Sequence, residues 1–146
     1  MIEPVSTLRE WLASDAGVAA LVGERIASAF EPGGGFPQVV IYGATGSPSA
    51  TAQGGSIAGE WTVTVWCLAD RLAGGEDDRP DTQAAWAVAA AISNACDAIP
   101  GAPFTTAAGA RIVDAEIVSA TRAQDPDSGW GRAVVTLSFT THSAHS

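Results

Sequence analysis

The sequence predicts an α+β fold, with a mixed, mainly antiparallel sheet packed by one long helix and an N-terminal helix. Residues 60–68 show the alternation that is typical of a strand, with Trp61, Val63, Val65 and Cys67 on one face and Thr62, Thr64, Trp66 and Leu68 on the other. Residues 82–99 place apolar side chains three and four positions apart, which predicts a helix with one buried stripe. Two β-type runs, residues 111–121 and 132–141, close the chain as a hairpin. Because one core commonly fills a chain of this length, residues 1–146 are expected to form one domain.

The N-terminal helices are predicted from capping residues. Thr7 and Glu10 fit a capping box, in which the hydroxyl and the carboxylate satisfy backbone N–H groups at a helix start. Asp15 is placed to cap a second, short helix over Ala16–Val22, and Gly23 is placed to end it. The chain therefore opens with two helical segments before its first strand.

Residues 43–59 show no periodicity and are rich in Gly, Ser, Ala and Thr. They follow two short β-type runs, residues 26–30 and 38–42. Because a patternless stretch of this length in a small domain is typical of a functional or mobile loop, we expect a mobile loop that becomes ordered against a partner. The polar tail, residues 142–146, is expected to be frayed. The candidate contact residues in the loop are Ser47, Gly54 and Gly55.

The charge composition argues against nucleic-acid and membrane binding. Seven basic residues, all arginine and scattered singly, face sixteen acids and leave a net charge of −9. A duplex-binding surface needs clustered cations to displace the counterions of the phosphates, and an anionic membrane surface needs them equally. No apolar run is long enough for a transmembrane helix, and the first residues lack the pattern of a signal peptide. A cytoplasmic chain without a membrane partner is expected.

No motif predicts a catalytic, cofactor-binding or metal site. His142 and His145 lie in the polar tail, and no His or Cys spacing matches a zinc site. Cys67 and Cys96 fall within apolar patterns, so buried reduced thiols are expected, although a disulfide remains possible. The short glycine run at residues 33–35 lacks the lysine of a phosphate loop. We therefore expect a protein that is not an enzyme and that binds no cofactor.

Two acids and three tryptophans are the remaining candidate site residues. Asp114 and Glu116 share one face of a predicted strand, and a carboxylate pair can perform acid–base chemistry when burial raises one pKa. Nothing nearby predicts such burial, so a solvated or inter-subunit face is favoured. The tryptophans indicate apolar surface for partner subunits, where this residue type is enriched. They are Trp66, Trp86 and Trp130.

Three short motifs follow one another in the order of the predicted elements. Residues 15–26 run from a helix end into a strand, and Phe36-Pro37-Gln38-Val39-Val40 leads into the next strand. Asp125-Pro126-Asp127 then precedes the turn before the last strand. In this order the chain, from about residue 8 to 140, resembles the tail terminator, or tail completion, proteins of long-tailed bacteriophages.

This resemblance implies a structural virion protein without catalytic residues. Such proteins form a ring, typically a hexamer, at the head-proximal end of the tail tube, where they end tube polymerisation and join the filled head. The implied partners are further copies of the chain, the tail tube protein and a head–tail connector or neck protein, which meet in the host cytoplasm during assembly. The charge of −9 adds the hypothesis that acids line the lumen, so that DNA passes without specific binding. Asp114 and Glu116 are the lumen candidates.

Two alternatives remain open. The first is another neck component, such as a head–tail connector or stopper, or a tail tube component. The second is a small enzyme or ligand-binding α+β domain. The latter requires a concave pocket with convergent polar groups and a perturbed titrating residue, and the sequence offers no such constellation.

Overall fold

The computed structural model describes residues 3–29, 35–50, 56–69, 82–124 and 131–144, which form three helices and a six-stranded sheet. The α+β class is confirmed, and the N-terminal helix of the fold prediction is two helices, as the capping residues indicate. In chain order the elements are α1 (Pro4–Ser14), α2 (Ala16–Val22), β1 (Ile26–Ala27), β2 (Gln38–Ala50), β3 (Ser56–Ala69), α3 (Thr82–Ala98), β4 (Phe104–Thr105), β5 (Ala110–Gln124) and β6 (Gly131–Ala144).

The sheet has the strand order β1-β2-β3-β6-β5-β4. β1 lies parallel to β2, and every other neighbouring pair is antiparallel, so the sheet is mixed as the sequence predicts. In β6 the residues at every second position from Gly131 to Thr141 are buried, and the residues between them are only partly buried. This alternation defines an inner face, which packs against the helices, and an outer face.

The core lies between the inner face and the helices. The predicted apolar stripe of α3 and the turn after it is buried at every position, and it packs against inward residues of β3, β5 and β6 such as Leu137 and Phe139. Burial of each large side chain in this layer contributes about 1.5–3 kcal/mol. The stripe consists of Ala85, Val88, Ala89, Ile92, Ala95, Cys96 and Ile99.

The first helix begins one turn earlier than the capping box predicts. The carboxylate of Glu3 accepts hydrogen bonds from the backbone N–H groups of Val5 (3.0 Å) and Ser6 (2.6 Å). Pro4 occupies the first helical position, where its missing N–H costs nothing. The predicted capping box is therefore wrong, because Thr7 lies inside the helix and its hydroxyl donates to the carbonyl oxygen of Glu3 (2.8 Å).

Glu10, the other half of that predicted box, has a tertiary role. Its Oε1 accepts a hydrogen bond from the backbone N–H of Ala107 (2.7 Å), which ties α1 to the turn between β4 and β5. The second helix agrees with the prediction. Asp15 accepts from the N–H of Val18 (3.0 Å), and Gly23 ends the helix with a φ of 57°.

Residues 43–59 are mostly strand, so the loop predicted there is wrong. β2 continues to Ala50 and β3 begins at Ser56, and only residues 51–55 lie outside the described parts. Two glycines allow this pairing. Gly46 has a φ of 144°, and a Cβ there would overlap the carbonyl oxygen of Glu60 on the neighbouring strand. A Cβ on Gly59 would lie 2.6 Å from the indole Nε1 of Trp61.

The C-terminal tail is likewise a strand up to Ala144. His142 pairs with Ala58 of β3 and Arg111 of β5, so the frayed tail predicted at residues 142–146 is wrong for its first three residues. The last two residues lie outside the described parts. Where the chain is described, no helix combines the length and the apolar run that a membrane crossing requires.

Candidate functional site

The outer face of the sheet, called here the open face, carries most of the predicted site residues that the structure describes. Its side chains alternate with the core positions of β3, β5 and β6, and the described helices pack against the opposite face. Hydroxyl side chains dominate its centre. The outward residues include Glu60, Thr62, Thr64, Trp66, Arg132, Val134, Thr136, Ser138, Thr140, His142, Arg111, Asp114 and Glu116.

One end of the open face is aromatic. The ring of Trp66 lies 4.3 Å from that of Tyr42, centroid to centroid, with 44° between the ring planes. The guanidinium of Arg132 lies 4.5 Å from the centre of the Trp66 ring, which is a cation–π contact. The Nε of Arg132 is buried, and it has no hydrogen-bond partner among the described residues. This aromatic end therefore holds a positive charge against the half-buried ring of Trp66, beside the exposed Tyr42.

The other end of the open face is acidic. Asp114 lies opposite Thr140, and Glu116 lies opposite Ser138, so both acids share the outward face, as the sequence predicts. Glu60 of β3 also lies opposite Thr140, because β3 flanks β6 on the side away from β5, and it adds a third carboxylate. At about 3.4 Å per residue, the eight residues from Thr140 to Arg132 separate the two ends by about 27 Å.

Trp86 lies on the helix side of the sheet, so the structure does not bring it together with Trp66. It is partly buried against the core, and the guanidinium of Arg122 lies 4.8 Å from the centre of its ring. Between α3 and β5 runs a cleft of about 240 Å³. The cleft is lined by Trp86, Ala89, Ala90, Ser93, Asn94, Ile117 and Ala120.

The remaining predicted site residues lie in or beside the β2–β3 hairpin or outside the described parts. The backbone of Ser47 is part of β2 and pairs with Glu60. Gly54, Gly55 and Trp130 lie outside the described residues. Sequence reasoning missed Tyr42, Arg122 and Arg132, whose only signal is the strand alternation that assigns each of them to a face.

The described titratable groups offer little for catalysis. Cys67 and Cys96 are free and buried, as expected. Burial raises the pKa of each thiol to about 12, and for Cys96 the charges of Asp97 and Asp15 add to the effect. Within the described ranges, no three His, Cys, Asp or Glu residues are grouped so that they hold a metal ion.

Comparisons with known proteins agree with this architecture. The family described as "Tail completion protein gp17" matches residues 6–142. A chain of the virion of a native gene transfer agent particle has a similar fold, with a TM-score of 0.64 and 23% sequence identity. The similarity covers 97% of this chain and 99% of that one. Among curated proteins, no sequence matches significantly.

Proposed function

The chain belongs to the tail completion protein gp17 family, and on that premise we propose that its copies form a ring, a hexamer, at the head-proximal end of the tail tube. The membership makes it a structural protein of a virion tail. In the proposal, the ring ends polymerisation of the tube and presents the surface to which the filled head is joined. Its partners are the tail tube protein on one side and a head–tail connector or neck protein on the other.

The observation that carries the proposal is the extent of the family match, residues 6–142, which includes all six strands but the end of the last. The match therefore spans nearly all of the described architecture. A ring of such subunits needs one surface toward its lumen, one toward each lateral neighbour and one toward each stacked partner.

The open face suits the lumen. DNA leaving the head passes through the ring without being held, so the lining must lack clustered cations. In the described part of the open face, Asp114, Glu116 and Glu60 supply three carboxylates against the two guanidinium groups of Arg111 and Arg132. The carboxylates repel the phosphates, and the hydroxyl side chains at the centre of the face add no cation. We therefore propose Asp114 and Glu116 as lumen acids.

The two ends of the sheet differ in what they offer to stacked partners. At one end, Trp66 and Tyr42 offer an aromatic platform of the kind that is enriched at protein interfaces. At the other end lies the β2–β3 hairpin, which contains Ser47 and leads to Gly54 and Gly55. We propose that the hairpin end contacts a neighbouring copy or the tube.

Particles assembled without the protein test the proposed function. We expect tails of uncontrolled length and heads that remain unjoined, both visible by electron microscopy. Expression of the wild-type chain in trans should restore tails of normal length joined to heads. Normal tails in the absence of the protein would contradict termination. Tails of normal length that merely fail to join heads would indicate another neck component.

A further inference from the structure

We propose that neighbouring copies join by strand pairing, in which the outer edge of β5 in one copy pairs antiparallel with the outer edge of β2 in a second copy, with Ser119 opposite Thr45. The inference rests on the ring proposed above and specifies which surfaces of two copies meet. The contact is head-to-tail, since the two edges belong to opposite sides of the subunit.

The two long strands nearest the sheet margins each have a free edge, meaning an outer side on which no described strand lies. β1 pairs with β2 only at residues 39–40, which leaves residues 41–50 as the free edge of β2. β4 pairs with β5 only at residues 111–112, which leaves residues 113–124 as the free edge of β5. The two free edges are nearly equal in length. A long free edge is a template for pairing with another chain, because its outward N–H and C=O groups are unpaired.

Each free edge contains a stretch in which the burial alternation of the sheet is lost. Residues 118–122 of β5 are all exposed, although they alternate between the two faces. In residues 42–46 of β2, only Ala44 is partly buried. Val118 and Tyr42, which are 58% and 38% exposed, are the two large apolar side chains that the described part of the chain exposes. Since they lie on opposite free edges, one contact between copies covers both.

The strand directions make this contact antiparallel. β2 is antiparallel to β3, β3 to β6, and β6 to β5, so β5 runs opposite to β2 within one subunit. Rotation about a ring axis keeps the direction of every strand relative to that axis. The β5 of one copy therefore meets the β2 of the next in the same antiparallel sense that the rest of the sheet uses.

The faces of the side chains set the register. Thr45 and Ser119 lie on the open face, and Ala44 and Ala120 lie on the inner face. Directly opposite residues of an antiparallel pair share a face, so Ser119 opposite Thr45 places Ala120 opposite Ala44. This register sets the two exposed stretches side by side. β1 then lies past the end of the pairing on β5, and β4 lies past its end on β2, so the two short strands bracket the contact.

The shorter connections of the same chain do not reach the centre of either free edge. Residues 125–130 leave and re-enter the sheet at adjacent strands, so they extend about 12 Å at about 3.5 Å per residue. Ser119 lies about 17 Å from the end of β5. Residues 51–55 extend about 10 Å, whereas Thr45 lies about 17 Å from the end of β2. Residues 30–34 return toward the start of β1, because the glycine that follows them lies next to the arginine that precedes β1.

Residues 70–81 have a longer reach, but it is exhausted at Ser119. They start after Ala69, and Ser119 lies about 17 Å along the sheet and about 14 Å across it, or about 22 Å away. They lead to α3, which starts near the same end of the sheet, since Trp86 lies beside Arg122. A segment of this length that goes out and returns extends about 23 Å when fully stretched. No length then remains to run beside the strand, so the free edge of β5 is left for another chain.

Disulfide cross-linking in assembled particles tests the contact. Two differently tagged chains, one with Thr45→Cys and the other with Ser119→Cys, replace the wild-type chain. Both also carry Cys67→Ala and Cys96→Ala, so that each chain has a single thiol. Opposite residues of antiparallel strands have Cα atoms about 4.5–5.5 Å apart, within the separation of about 7 Å that a disulfide allows. Mild oxidation should therefore give a product that carries both tags.

Glu116→Cys in place of Ser119→Cys is the matched control. Glu116 lies on the same strand and the same face, about 10 Å further along at about 3.4 Å per residue. Because this exceeds the reach of a disulfide, the control should give at least about tenfold less product. An equal yield from the control would overturn the proposal. Particles that contain both chains but give no doubly tagged product would also overturn it, as would be the case if residues 70–81 of the same chain filled the edge of β5.

A charge exchange at a second pair tests the register. When Ser119 opposes Thr45, Tyr42 and Thr121 meet on the open face, with Gly43 as the bulged residue of β2. The chain with Thr45→Cys also receives Tyr42→Lys, and the chain with Ser119→Cys receives either Thr121→Lys or Thr121→Asp. The aspartate should give about threefold more product than the lysine, because like charges opposite each other destabilise a strand pair. Equal yields would overturn the register.

A chain with both Thr45→Cys and Ser119→Cys separates this inference from the proposed function. Oxidation of particles should give a ladder of linked products that ends at six copies. A ladder that ends at another number, or continues without limit, would support the strand pairing and overturn the ring of six. Rings of six copies seen by cryo-electron microscopy without linked products would overturn the strand pairing and leave the ring standing. Absence of both would overturn both.

Discussion

The indole Nε1 of Trp61 donates a 3.0 Å hydrogen bond to Oγ1 of Thr141 across two neighbouring strands, and both side chains are buried. The indole passes over Gly59, which pairs directly with Thr141. This contact fixes the register of β3 against β6. The positions of Asp114 and Glu116 depend on it, because β5 is registered against the same strand.

Thr141→Val should destabilise the protein. The substitution keeps the shape of the side chain but leaves the indole N–H of Trp61 buried without an acceptor, which costs about 1–3 kcal/mol. The measurement is the free energy of unfolding from urea titration. Thr141→Ser is the control, since it retains the hydroxyl and should lose less. Equal stabilities for the wild-type and valine chains would contradict the assigned role of this hydrogen bond.

Gly59→Ala should also destabilise the protein. Its Cβ would lie 2.6 Å from Trp61 Nε1 and 2.9 Å from Thr141 Oγ1, so the indole must move. Overpacking of this kind costs about 1–3 kcal/mol. Gly43→Ala is a matched control in β2, because a Cβ there meets nothing within 4 Å. Urea titration should show a loss for Gly59→Ala alone, and a similar loss for both would indicate a general cost of replacing strand glycines.

The cap of α1 should give a pH-dependent contribution to stability. Burial opposes ionisation of Glu3, but hydrogen bonds from Ser6 and Val5 outweigh it and hold the pKa of this carboxyl below its ordinary value of 4.5. Because the folded-state pKa is the lower one, the stabilisation is present above pH 4.5 and is lost as the pH falls through the folded-state pKa.

Glu3→Ala should therefore lower the free energy of unfolding by about 0.5–1 kcal/mol at pH 6, and by less at pH 3. Urea titrations at the two pH values measure this difference. Glu3→Gln, which keeps an acceptor oxygen but not the charge, is the control. A loss of the same size at both pH values would show that ionisation of this residue contributes nothing.

Reversal of the proposed lumen charges should create DNA binding. Asp114→Lys with Glu116→Lys should leave the assembly mass unchanged and the stability within about 0.5 kcal/mol, since both side chains are exposed. The altered protein should bind labelled duplex DNA in fluorescence anisotropy, with an affinity that falls as salt increases. Asp97→Lys with Glu24→Lys, at two exposed positions outside the sheet, is the control for net charge alone, because it replaces the same number of acids by lysine. Equal DNA binding by this control would contradict a lumen position for Asp114 and Glu116.

Local periodicity accounts for the parts of the fold that the sequence predicted well. The spacing in α3 identifies every buried position of its stripe, from Ala85 to Ile99, because a helical face is set by neighbours along the chain. The alternation in β3 assigns Trp61 to the core and Trp66 to the outer face for the same reason. Asp15 and Gly23 bound α2 as predicted, since capping is also local.

Contacts between distant segments account for the failures. The glycines that make residues 43–59 look like a loop are needed by the strand, because Gly46 and Gly59 make room for groups on neighbouring strands. The aromatic end of the open face combines Tyr42, Trp66 and Arg132 from three strands, whose relative register no single segment encodes. The separation of Trp66 from Trp86 likewise follows from how α3 packs on the sheet.

A cryo-electron microscopy reconstruction of the head–tail junction in particles that contain this protein tests the central claim most directly. The account predicts one ring of six copies between the last ring of the tail tube and the neck, with the open face toward the DNA path. Copies repeated along the tube, a position on the head side of the neck, or an open face turned away from the lumen would contradict it.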